Sequence, residues 1–209
     1  MSKELVKRIL SSIILLPLVF YFLTSGSFLL ILFIVLCFII TFYEWNKMSK
    51  NKFYQIFGFI FLLFSFYTFY HLSIELFLLF YVILICISTD IGGYVFGKIF
   101  KGPKLTVISP KKTYSGMIGG YLLSLICLLL IANFTDHPGT PFQLFLITIL
   151  LSTVSQVGDI TVSNFKRIAG IKNTGNLIPG HGGLLDRIDG MIFAVPTLYM
   201  IEITGFLNI

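Results

Sequence analysis

Seven apolar runs separated by polar connections leave this chain little freedom in what it can fold into. They are, roughly, Ile9–Leu23, Phe28–Tyr43, Phe53–Tyr70, Leu72–Ser88, Met117–Phe134, Phe142–Val157 and Ile188–Leu207. A spanning helix needs about 20 apolar residues. Several runs fall at the short end, so their ends must tilt, snorkel or extend with polar turns. A hydrophobic fraction of 56% and a mean hydropathy of +0.95 exceed what a soluble domain with one core carries. The expected fold is therefore all-α: a polytopic integral membrane protein of about seven transmembrane helices, with no separate soluble domain.

The first run follows Lys3, Lys7 and Arg8, as a signal peptide's would. Pro17 and the immediate second run favour a retained first helix instead. Cys37, Cys86 and Cys127 each sit in a different apolar run, without metal or disulfide spacing, and read as buried, inert thiols.

With seven spans, every Lys and Arg falls on one side: Lys3, Lys7 and Arg8; Lys47, Lys50 and Lys52; Lys98, Lys101, Lys104, Lys111 and Lys112; Lys166, Arg167, Lys172 and Arg187. The opposite connections, 24–27, 71–75 and 133–141, hold none. The positive-inside rule then predicts a cytoplasmic N-terminus. The net charge of +6 is a one-sided field that attracts the anionic headgroups of the lipid bilayer. With no soluble module and no exposed aromatics among the basic loops, nucleic acid is not an expected partner.

Two of the basic segments also carry acids. Between Asp159 and Asp189 lie three of the nine acids and four of the fifteen Lys/Arg. Asp159 and Ser163 are four apart and Lys166 and Arg167 follow, so a helix through this stretch bears one polar stripe. Asp186 and Asp189 share a face where the last span begins. Their bland account is favourable charge in a helix's first turn; against it, carboxylates near hydrocarbon are costly and usually functional. Two helix ends presenting carboxylates on one side suit a hard cation such as Mg²⁺. Lys166, Arg167, Lys172, Arg187 and His181 suit a polyphosphate. His181, among Gly180, Gly182 and Gly183, is a candidate to orient a phosphate, to carry a proton or to stabilise the turn. Upstream, Asp90 to Lys98 with Gly92, Gly93 and Gly97 reads as a Gly-rich polar segment. It leads to Ser109, Lys111, Lys112 and Thr113, whose donors suit phosphate oxygens. Glu44, Glu75 and Glu202 are isolated acids read as interfacial.

Ser163-Asn164-Phe165-Lys166-Arg167, Lys172-Asn173, Pro179-Gly180-His181-Gly182-Gly183 and Asp186-Arg187-Ile188-Asp189 together resemble the signature of phosphatidate cytidylyltransferases, the CDP-diacylglycerol synthases. Gly158-Asp159 and Ser109-Pro110-Lys111-Lys112-Thr113 match further segments, so the resemblance runs from Asp90 to Asp189. The Glu44-Trp45 pair agrees in general character. Asn173 stands where the family has Asp, and Tyr114-Ser115 where it has Trp-Glu. The chain is also short, which implies that one or two N-terminal spans of larger members are absent.

The resemblance implies transfer of CMP from CTP to phosphatidic acid, giving CDP-diacylglycerol and pyrophosphate in phospholipid biosynthesis, at the cytoplasmic face of the cell inner membrane. It implies Mg²⁺ on Asp159, Asp186 and Asp189, with a second, monovalent cation such as K⁺, and a homodimer. The implied catalytic set is Asp159, Asp186, Asp189 and His181. The implied substrate-binding set is Ser109, Lys111, Lys112, Thr113, Ser163, Lys166, Arg167, Lys172, Arg187 and Asp90. Residues 1–88 would form four N-terminal spans, and 89–209 the catalytic membrane region. The rival expectations are a cytidylyltransferase for another lipid phosphate, such as an ether-lipid type, and an ion-coupled membrane transporter. A CDP-alcohol phosphotransferase would need further acids in Met191–Met200, where there are none. An inactive paralogue is the reading that Asn173 and Ser115 keep open.

Overall fold

The computed structural model describes residues 17–24, 27–134, 139–177 and 182–207. Among these the fold is all-α, with no strand and an isolated antiparallel bridge between Lys104 and Thr113. Residues 17–24 are helical. Five helices long and apolar enough to cross a membrane follow: α1 (Ser27–Met48), α2 (Lys52–Leu72), α3 (Leu76–Phe100), α4 (Tyr114–Phe134) and α5 (Pro141–Ile168). A four-residue α6 (Leu185–Ile188) and a shorter apolar α7 (Met191–Ile203) complete them. This is a polytopic membrane fold. Its helices carry outward-facing large apolar side chains such as Leu32, Phe57, Leu122 and Leu129, as lipid-facing helices do.

Three boundaries differ from the sequence expectation. The run Ile188–Leu207 is not one spanning helix: Asp189 and Gly190 form a turn between α6 and α7. The 13 residues of α7 reach about 20 Å at 1.5 Å per residue, short of a bilayer core of about 30 Å. Helix α3 continues to Phe100, so Asp90 to Lys98 is helix and not a Gly-rich loop. Helix α5 likewise runs on to Ile168, carrying Asp159, Ser163 and Lys166 along one helix. A helix satisfies its own backbone, so nothing stops it where the apolar run stops. The start of the first expected span, Lys3, Lys7, Arg8 and residues 178–181 lie outside the described residues.

The chain divides into two compact units. One holds the described residues up to Tyr70 with Phe165–Ile188. In it, α1 and α2 form a hairpin whose turn is built locally. Asn51 caps α2 by accepting from the Phe53 amide at 2.9 Å, and the Gln55 side chain donates to the Ser49 carbonyl at 2.8 Å. Trp45 donates to the Tyr54 carbonyl at 2.9 Å, and its ring meets Phe165 edge-on at 5.0 Å. Tyr54 meets Phe165 from another side, with ring centroids 5.6 Å apart. Phe165 is thereby held by two aromatic neighbours, which fixes the residue beside Lys166.

The other unit holds His71–Asn164 and the described residues from Asp189 onward. Here the glycines of α3 do their work: Gly92 and Gly119 touch so closely that a Cβ on Gly92 would overlap the Gly119 carbonyl. Small residues let the two backbones approach, the usual device where lipid removes the hydrophobic drive between helices. Buried hydroxyls tie α5 to this pair. Tyr81 on α3 lies 2.7 Å from Thr148 Oγ1 and donates to the Leu144 carbonyl at 3.0 Å. Thr89 donates to Ser152 at 3.0 Å, and Tyr121 on α4 lies 2.9 Å from Thr153 Oγ1. The three cysteines are free thiols, Cys86 buried and the other two half-buried.

Candidate active site

In the first unit, the loop from Ile171 to Leu184 closes around one carboxylate. Asp186 Oδ1 accepts from the Lys166 ammonium at 2.9 Å, and both side chains are almost fully buried. Asp186 Oδ2 accepts from the Thr174 amide at 2.8 Å and the Gly183 amide at 3.0 Å, with the Thr174 hydroxyl 3.2 Å away. A buried charge is tolerable only when paired and hydrogen-bonded, and this one is both. Gly182 has φ +95°, and a Cβ there would come within 2.7 Å of Asp186 Oδ2 and 3.4 Å of Asn173. Only glycine meets both demands. Asn173, the departure from the family pattern, therefore lies beside Gly182 at the rim of this cluster.

Glu44 is the residue that sequence reasoning misplaced. It is 4% exposed and held by three donors, not an isolated acid. Its carboxylate accepts from Thr174 Oγ1 at 2.8 Å, the Leu184 amide at 3.0 Å and the Leu185 amide at 2.8 Å. A Cβ on Gly183 would overlap both oxygens. The signals in the sequence were the Glu44-Trp45 pair and an acid four residues from the end of a largely apolar helix.

In the second unit, Asp159 Oδ2 lies 2.5 Å from Lys112 Nζ, and Asp159 Oδ1 accepts from Ser163 at 3.3 Å. The backbone of Asp189 and Gly190 packs on the same helix: a Cβ on Gly158 would sit 3.1 Å from the Asp189 carbonyl, and one on Gly190 would overlap Ser155. Asp189 Oδ1 accepts from the Gly190 amide at 3.0 Å. The loop before α4 is a stapled hairpin, in which the Leu105 amide donates to the Lys112 carbonyl at 2.8 Å and the Tyr114 amide to the Pro103 carbonyl at 3.2 Å. Ser109 takes part through its carbonyl, accepting from the Lys112 amide at 3.0 Å. That hairpin delivers Lys112 to Asp159.

The remaining predicted residues divide plainly. Thr113 caps α4, its hydroxyl accepting from the Gly116 amide at 3.1 Å, so its expected phosphate donor already has a structural task. Ser115 donates to the Lys101 carbonyl. Arg167 is exposed and donates to the Ile171 carbonyl at 3.0 Å, closing the end of α5. Lys111, Lys172, Arg187 and Asp90 are exposed, the last on α3. His181 lies outside the described residues. Lys112, Ser163, Asp159 and Asp189 thus gather in one unit, and Lys166, Asp186 and Asn173 in the other.

Among the described residues no three His, Cys, Asp or Glu side chains converge on one point. Mg²⁺ does not require that, since one or two carboxylates commonly hold it while substrate phosphates and waters complete the octahedron. Asp159 and Asp186 each already hold a cation, a lysine ammonium, on one oxygen. Each carboxylate by itself is the kind of oxygen donor that suits a hard cation arriving with a polyphosphate.

Residues 6–77 and 54–204 match the pattern of the Cytidylyltransferase family. A phosphatidate cytidylyltransferase of Staphylococcus haemolyticus is 44% identical over 124 residues, covering 59% of this chain and 48% of that protein. One from Staphylococcus saprophyticus is 45% identical over 116 residues, covering 55% and 45%. One from Staphylococcus aureus is 44% identical over 124 residues, again covering 59% and 48%. The chain spans about half the length of the curated relatives it matches. Because the family pattern extends over nearly the whole sequence, the chain belongs to the Cytidylyltransferase family.

Proposed function

We propose that this chain transfers CMP from CTP to phosphatidic acid, yielding CDP-diacylglycerol and pyrophosphate. The observation that carries the reading is the pair of lysine-held carboxylates, Lys166 with Asp186 and Lys112 with Asp159, in a family of cytidylyltransferases. A phosphate oxygen of phosphatidate attacks the α-phosphorus of CTP; that O–P bond forms as the bond from the α-phosphorus to the bridging oxygen breaks. Pyrophosphate leaves with the electron pair. No protein nucleophile is required, so the chain's task is positioning and charge stabilisation. Lys112 and Lys166 steady the two anionic reactants. Ser163 orients Asp159, and the Thr174 and Gly183 amides orient Asp186. Asp159, Asp186 and Asp189 would hold Mg²⁺, which when bound neutralises charge on the departing pyrophosphate. His181 completes the proposed catalytic set. Ser109, Lys111, Arg167, Lys172, Arg187 and Asp90 are assigned to substrate contact.

The one-sided distribution of basic residues supports a site facing the cytoplasm in a cytoplasmic membrane, and the acyl chains remain in the bilayer while the headgroup enters the polar site. A homodimer is part of the same proposal. Purified protein is incubated with labelled CTP, Mg²⁺ and phosphatidate in mixed micelles, with an ether-linked lipid phosphate in a parallel arm. Lipid-linked CMP from phosphatidate is expected. Product only from the ether lipid would reassign the acceptor, and no lipid-linked CMP in either arm would sink the transferase reading.

A further inference from the structure

The environment of Glu44 is costly for what packing alone needs. A carboxylate in the last turns of an apolar helix is buried to 4% exposure, where an aliphatic side chain would fill the space without a desolvation penalty. Two backbone amides and one hydroxyl donate to it, and Gly175 and Gly183 close over it. The donors come from residues 130, 140 and 141 positions along the chain. All three belong to the 174–185 segment that also surrounds Asp186.

The link between the two acids is Thr174. Its hydroxyl lies 2.8 Å from Glu44 Oε2 and 3.2 Å from Asp186 Oδ2. One hydroxyl has one proton, so it donates to one carboxylate at a time, and the shorter contact is to Glu44. With the hydroxyl committed there, Asp186 Oδ2 is held by the Thr174 and Gly183 amides, and Asp186 Oδ1 meets Lys166. The amides of Leu184 and Leu185, next in the chain after Gly183, are held in turn by Glu44.

We propose that Glu44 is a positioning residue for Asp186, acting through Thr174 and the 183–185 backbone. Its catalytic consequence rests on the transferase reading above. Glu44 does not touch the reacting atoms. It sets the direction of a carboxylate that does.

The test uses the full chain, purified and reconstituted in vesicles containing phosphatidate. Glu44→Gln leaves one acceptor oxygen for three donors and turns an NH₂ group toward them. It is expected to lower kcat for CMP transfer about tenfold or more while leaving the KM for CTP within about twofold, the mark of a transition-state loss. Thr174→Val should give a similar loss, Thr174→Ser should restore activity, and the double variant Glu44→Gln/Thr174→Val should be no worse than either single change. A purely structural role predicts losses that multiply, and that result would overturn the proposal. Hydrogen exchange read on peptides covering 182–187 should quicken in Glu44→Gln while peptides from α3 and α4 stay protected. Unchanged exchange there overturns the proposal whether or not the protein makes product. If wild-type protein makes no lipid-linked CMP yet the exchange change appears, the transferase reading fails and the positioning role stands. Should Glu44→Gln not fold, Thr174→Val, which leaves both backbone bonds to Glu44 intact, supplies the same exchange and kinetic readouts.

Discussion

Two lysine–carboxylate pairs of identical chemistry sit in very different surroundings. The Lys166–Asp186 side chains are 9% and 6% exposed, and Asp186 also takes amide donors from its loop. The Lys112–Asp159 side chains are 23% and 28% exposed, with a single serine at 3.3 Å as the further partner of Asp159. The first pair is built into the fold by a buried glutamate, a threonine and glycines. The second is made where a stapled hairpin reaches a helix. A buried pair resists exchange because opening it strands a charge, whereas a part-exposed pair opens at small cost. The first pair holds its carboxylate in a fixed direction, and the second can release its lysine to an incoming phosphate and its carboxylate to a cation.

The largest effect expected from this contrast is that of Lys166→Met. Removing one partner of a buried pair leaves the Asp186 charge uncompensated and should cost about 3–5 kcal/mol in denaturant unfolding of the micelle-solubilised protein. CMP transfer should fall about a hundredfold with it. A variant as stable as the parent would erase the distinction between the two pairs. Next comes Asp159→Asn, for which stability should shift by less than about 1 kcal/mol, as for other solvent-screened pairs. Its turnover should nonetheless fall about a hundredfold if Asp159 serves the reacting phosphates. Wild-type turnover in that variant would remove Asp159 from the site and leave its lysine a surface ornament. The smallest effect belongs to Thr113→Ala, which loses the α4 cap and should cost about 1 kcal/mol with the KM for CTP unchanged. A raised KM at unaltered stability would return Thr113 to substrate binding and enlarge the exposed site.

Much of this was legible in the linear chain. Asp159, Ser163 and Lys166 share a helix at the spacing expected, and the apolar runs from Phe28 to Val157 became helices. The errors fall where composition changes and geometry does not. Asp90 to Lys98 reads as a glycine-rich loop because glycine and charge usually mark one. Its glycines instead face the glycines of α4, Gly92 meeting Gly119 and Gly93 meeting Gly116, a pairing that no local pattern reveals. Ile188–Leu207 reads as one span because Asp189-Gly190 is a small interruption in an apolar run. The contact of Gly190 with Ser155 is tertiary, and it accompanies a turn there. Glu44 reads as an isolated interfacial acid for a related reason: a single acid at a helix end has an ordinary interfacial explanation, and its partners lie 130 and more positions away.

By itself, the sequence determined that this chain folds as membrane helices and that its Asp, Lys and Arg side chains cluster at or beyond the ends of the apolar runs. Both follow from the cost of leaving peptide groups or charges unsatisfied in hydrocarbon, a cost set by composition and run length. Tertiary structure alone decided which carboxylate each lysine meets, which glycines are contacts and not hinges, and that Glu44 belongs to the candidate site. Those outcomes depend on distances between residues far apart in the chain, where a difference of about 1 Å separates a hydrogen bond from none.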